Sequence, residues 1–229
     1  MKKKFIFFII FIITVIFVLN ITYKNAGNRE DIQNNEVKNE YINVDNKIQS
    51  TLLLLSKCDF IEPYEVIKGN NSLNKQIKIA FKDLSTIDEK YRNYEAIGWK
   101  NQKEELYIYI NEKHIGARNE ALAALIAGQS IHFDEKDSKN EECYSILVEG
   151  YVWKYLTKNK LINSNDELVI RENNIAKIIN KSPKDGSVLI SFINNNRFYN
   201  NLEQESNGYT NTEFEDKFKK LLMMYNNQN

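Results

Sequence analysis

Breakers are scarce in this chain: it has two prolines and eight glycines in 229 residues. That scarcity removes most interruptions from the pattern and predicts long helices. An excess of one charge sign is also missing, because 31 acidic residues balance 31 basic ones. The balance removes the electrostatic reason to expect nucleic acid or an acidic surface as partner. Only two cysteines are present, Cys58 and Cys143, so at most one internal disulfide can form. Two small buried apolar side chains remain the plainer reading of that pair. Histidine is equally rare, with only His114 and His132 to serve as imidazole ligands.

What is present begins at the N-terminus. Lys2, Lys3 and Lys4 precede an apolar run from Phe5 to Leu19 that extends weakly to Tyr23. About 19 residues of helix span roughly 28 Å, one hydrocarbon core. No Ala-x-Ala cleavage pattern follows, since Ala26 as the last residue removed would put Lys24 at the other small position, and there is no lipobox cysteine. Residues 1–23 therefore read as an uncleaved signal-anchor, with the lysines cytoplasmic and the remainder exported. Cleavage would instead make the protein secreted. Residues 24–45 show no apolar period and read as a polar tether, which leaves 46–229 as one globular domain.

Within that domain, Lys47–Phe60 reads as a buried helix. Gln76–Lys82 alternates Ile77, Ile79 and Phe81 as a half-buried strand does. Tyr94–Lys100 and Glu104–Asn111 form a predicted hairpin, with Leu106, Ile108 and Ile110 on one face and Tyr107 and Tyr109 on the other. Helices are predicted over Glu120–His132, Lys139–Lys158, residues 165–180, Ser187–Asn195 and Glu213–Tyr225. Ser138 with Glu141 reads as a capping box at the second of these. Pro183 suits the start of the helix over Ser187–Asn195. The expected class is α+β, with a small antiparallel-containing sheet packed on several helices and a mainly helical C-terminal half.

One stretch carries more than packing information. Glu120–His132 reads EALAALIAGQSIH, and a polar loop leads from it to a helix opening with Glu141 and Glu142. Strand, hairpin, apolar helix ending in histidine, then a helix with glutamates resembles the zincin metallopeptidases whose H-E-x-x-H helix is followed by a glutamate ligand. In an intact motif two histidines four apart reach one zinc ion, and the intervening glutamate deprotonates zinc-bound water. The resemblance matches His132 to the second histidine, Gly128 to the first and Gln129 to the catalytic glutamate. It makes Glu142 the third ligand and Glu149, on the same helical face, a supporting residue.

Gly128 offers no ligand, and an amide cannot replace a carboxylate base. Loss of a general base alone costs about 10²–10⁴ in rate. The resemblance thus implies a zincin-like fold without peptidase activity, no cofactor, and residual metal binding at His132 and Glu142 at most. It also implies a cleft whose sheet edge holds an extended peptide or an envelope protein. The alternative is a metal-dependent hydrolase with zinc held by His132, Glu142 and His114, or a plain cell-envelope interaction module. Read without the resemblance, His132 is a residue favoured by a helix C-terminal dipole, and Glu141–Glu142 is an ordinary acidic first turn.

Overall fold

The computed structural model describes residues 46–133, 137–206 and 209–228. The proposed anchor and tether lie outside the described residues. Among those described, no helix is long and apolar enough to cross a membrane.

Helix α1 (46–55) buries Thr51 and Leu55, and the turn after it buries Cys58 and Phe60. Pro63 then opens α2 (Glu62–Lys68), and Gly69 at φ 118° closes it. Proline supplies a helical φ where no N–H is needed, which is why so short a helix starts there. Strands β1 (Ile77–Lys82), β2 (Ala96–Lys100) and β3 (Leu106–Asn111) follow. They form one sheet in the order β1-β3-β2. β2 and β3 make the expected antiparallel hairpin, while β1 runs parallel to β3, so the sheet is mixed.

Leu106, Ile108 and Ile110 face the core. On the opposite face Tyr107 and Tyr109 stack at 5.1 Å, with the Lys78 and Lys82 ammonium groups over their rings. That arrangement is sheet surface held by aromatic and cation–π contact.

From Asn119 onward the described elements are helical, apart from one bridge between Ser138 and Glu203 and a 3₁₀ turn at Arg197–Tyr199. They are α3 (Asn119–Gln129), α4 (Lys139–Leu156), α5 (Glu167–Asn180), α6 (Ser187–Asn195) and α7 (Asn211–Asn227). The architecture is α+β.

α3 is buried from Ala121 through Gly128, and α4 is buried around most of its circumference. A helix enclosed on all sides is a core helix. α4 is the hub: α3, α5, α6 and α7 all pack on it. Cys143 on α4 and Cys58 are both buried and free, so no disulfide forms between them.

Two boundaries differ from the sequence reading. Pro183 does not begin α6; Gly186 does, in the left-handed region at φ 65°. α7 starts earlier than expected, because Thr210 and Glu213 form a full capping box. A Cβ at Gly186 would lie 2.4 Å from two ring atoms of Phe218. Gly186→Ala is therefore expected to cost about 2–4 kcal/mol, the sum of left-handed strain and overpacking. Urea unfolding checks this, and an unchanged midpoint would count against the packing of α6 on α7.

Candidate functional site

α3 ends sooner than its apolar pattern predicts. Its last residue is Gln129, and Ser130 turns its hydroxyl back to the Ala127 carbonyl at 2.7 Å. His132 therefore lies three residues beyond the helix, not on it. Just before this end Gly128 presses against α4. A Cβ there would stand 3.3 Å from the Ser145 carbonyl, the Ser145 hydroxyl and the Glu149 Cβ. Ser145 Oγ also donates to the Gly128 carbonyl at 2.9 Å, so the two helices are stitched where a bulkier residue would part them.

His132 is held at both ring nitrogens. Nδ1 is 2.8 Å from Glu141 Oε1, and Nε2 is 3.0 Å from Ser145 Oγ. The Ser145 hydroxyl has one hydrogen, and the Gly128 carbonyl receives it. In that arrangement Ser145 accepts from Nε2–H, while Glu141 accepts from Nδ1–H. Both nitrogens carry protons, so the ring is an imidazolium. The electrostatics agree. Burial opposes the charge, but Glu142 and Glu141 outweigh it and raise His132 to about 9.

Glu141 is completely buried, and Ser206 Oγ lies 3.3 Å from its second oxygen. The expected cap does form at the backbone, where Ser138 Oγ accepts from the Glu141 N–H at 3.1 Å. The Glu141 carboxylate, however, serves His132. Sequence reasoning passed over this role. A signal was present, since Glu141 and Ser145 stand four apart on one helix and so share a face.

Around this pair opens a cleft of about 360 Å³ between β2, the end of α3, the first turns of α4 and the Arg197–Tyr199 turn. Gln129, His132, Glu142, Ser145 and Glu149 all border it. The side chains of Glu142 and Asp137 make no hydrogen bond or ion pair among the described residues. Burial pushes Glu142 above the ordinary carboxylate range, and Asp137 and Glu149 add to the rise against the pull of His132.

Deeper in, Arg171 of α5 binds Glu149 through both guanidinium ends, with NH2 2.9 Å from Oε2. Its NH1 also bonds Glu172 Oε1 at 2.7 Å. Burial and the adjacent Glu149 carboxylate push Glu172 well above its usual range, and its Oε2 has no hydrogen-bond partner among the described residues.

His114 does not join His132. It sits in the turn after β3, buried, and bonds Glu95. Glu95 does border the cleft, and Lys113 Nζ lies 2.8 Å from it. Burial resists ionisation of Glu95, but hydrogen bonds from His114 and Lys113 prevail and hold it down at about 2. A further set, His132, Asp137 and Glu141, brings ligand-type atoms within 4.8 Å of one another.

The edge of the sheet meets the same cleft. Asn111 N–H bonds the Glu95 carbonyl and Asn101 N–H bonds the Glu105 carbonyl, which fixes the phase of the antiparallel ladder. In that phase Ile97 and Trp99 exchange bonds with β3, and the backbone groups of Ala96, Gly98 and Lys100 point outward. Ala96 and Gly98 border the cleft. Comparison of the chain with protein-family models, curated proteins and solved structures finds no match.

Proposed function

We propose that this is an exported domain, held at the membrane by its N-terminal segment, with a zincin-like fold that has given up hydrolysis and keeps the cleft for holding an extended peptide. The observation that carries this reading is the outer edge of β2, which pairs with no other strand among the described residues and borders one cleft with Gln129, His132 and Glu142. An added strand gains affinity from main-chain hydrogen bonds and specificity from alternate side chains.

The bonding of His132 speaks against zinc here, for the set with Asp137 and Glu141 as for the set with Glu142. A metal needs the lone pair of a neutral imidazole, and both His132 nitrogens are spent on Glu141 and Ser145. Gly128 supplies no second nitrogen at the position that an H-E-x-x-H motif uses, and His114 is committed to Glu95. Gln129 carries no ionisable group to activate water. The arrangement favours binding without a metal over the alternative of a hydrolase using His132, Glu142 and His114.

Backbone methylation of a bound peptide tests edge pairing without touching the protein. In a strand paired with β2, alternate N–H groups face the protein. Methylating those is expected to weaken binding by roughly 10-fold each, the value of one net hydrogen bond, and methylating the intervening ones leaves affinity nearly unchanged. A methylation profile without that alternation would dismiss edge pairing.

A further inference from the structure

A second hollow lies among the C-terminal helices. It is a cavity of about 600 Å³ between α4, α6 and α7, and none of the residues lining it borders the cleft. That volume falls in the range of small-molecule sites. Its floor is apolar. Phe214, Phe218 and Leu222 recur every four residues along α7 and present one stripe to it. Cys143 of α4 and Ile193 of α6 close the other sides, and all five side chains are buried. Water gains little against such a floor, which therefore favours an apolar guest. The lip has the same character. Met223 borders the cavity with 66% of its surface exposed, and its unbranched thioether can adapt to a guest of variable shape.

The charged groups around the cavity set the polarity of the guest. Both acids are already engaged: Asp185 accepts from the Ser187 N–H at 3.0 Å, and Glu215 pairs with Lys219 at 2.9 Å. Lys139, which opens α4, and Lys184, in the turn before α6, also border the cavity. Neither makes an ion pair among the described residues. Each lysine can lay its aliphatic stem along apolar surface and keep its ammonium group at the rim. Two such cations above an apolar floor complement a chain with an anionic end.

We propose that this cavity binds a free fatty acid, its chain against Phe214, Phe218 and Leu222 and its carboxylate at Lys139 and Lys184. A hollow of this size suits one chain, not the paired chains of a bilayer lipid. The site is independent of edge pairing at β2 and stands or falls without it.

Photolabelling of the full chain in nonionic detergent tests both halves of the proposal. The probe is dodecanoic acid with a diazirine near the far end of its chain, and the control is the matching alcohol. The expected result is cross-linking to the cavity walls around Cys143, Ile193 and Phe218, suppressed by excess dodecanoate. The alcohol should label those walls roughly three- to tenfold less, the worth of one or two partly exposed ion pairs. Lys139→Met with Lys184→Met keeps the aliphatic stems and removes only the charge. It should bring labelling by the acid down to the level of the alcohol. Cross-links confined to other parts of the chain, or cross-links that dodecanoate does not suppress, overturn the site. Equal labelling by acid and alcohol in the parent chain overturns the anionic head.

Discussion

Glu141→Ala is expected to lower the unfolding free energy by about 1.5–3 kcal/mol at pH 6, the usual worth of a hydrogen bond to a charged group, because Glu142 still faces the His132 ring. The loss is also expected to depend on pH. His132 is raised from 6.5 to about 9 in the folded protein. A raised base stabilises the fold fully below its unfolded value, and that stability disappears as pH climbs through the folded value. The shift corresponds to roughly 3 kcal/mol. The deficit of Glu141→Ala should therefore be full below pH 6.5 and fade as pH passes about 9, where the parent ring is neutral too. Urea unfolding at pH 6, 7.5 and 9.5 reads this directly, and a deficit equal at all three would mean that the pair is not ionic.

The parent protein should weaken over the same alkaline window, and Glu172 pushes in the same direction. Its folded pKa is raised, so ionisation in the unfolded state favours unfolding above pH 4.5. On the acid side Glu95 acts with the opposite sign. Its pKa falls from 4.5 to about 2, so its contribution is present above 4.5 and lost as pH drops through 2. Together these groups place maximal stability near pH 4.5, with a fall on the acid side from Glu95 and on the alkaline side from Glu172 and Glu142, joined above pH 6.5 by His132.

The second large effect concerns zinc. The double change Gly128→His with Gln129→Glu is expected to raise zinc affinity by more than about 100-fold, since restoring a direct ligand should exceed the 10–100-fold effect of a supporting residue. Gly128 stands against Ser145 and Glu149, both bordering the cleft with His132 and Glu142. A Cβ there needs α4 to give by a few tenths of an ångström, and the ring beyond it needs a larger separation of α3 and α4 to reach that cleft. The same contacts make the change destabilising by about 1–3 kcal/mol without metal. Zinc must displace a proton from His132, so the gained affinity should rise with pH. Titration calorimetry at pH 7 and 8.5 checks both points. No gain in affinity would remove the main support for a zincin-like origin.

Periodicity alone located the hairpin, β1, the buried run of α3 and the apolar faces of α5 and α7, because each depends on where side chains recur along one element. The same patterns misplaced the end of α3. Nothing in EALAALIAGQSIH marks Gln129 as its last residue, and the contacts beside that end, the press of Gly128 against α4 and the bond from Ser145, are made between elements. Glu141 was legible as a cap and not as the partner of His132. A cap is a relation across three residues of one turn, whereas an ion pair nine residues apart depends on how a loop returns. β1 was recognisable as a strand, but its parallel pairing with β3 was not, as register belongs to two segments at once.

The amino-acid sequence by itself determined which segments are helix and strand, and it alone prompts the comparison of Gly128 and Gln129 with a metallopeptidase motif and of the first segment with an anchor. Tertiary structure alone decided that His132 is bonded at both ring nitrogens, that His114 belongs to Glu95, and that Glu142 and Asp137 border the same cleft as the outer edge of β2. The division has one physical cause. Local conformation follows from neighbours in the chain, while protonation and charge balance follow from neighbours in space.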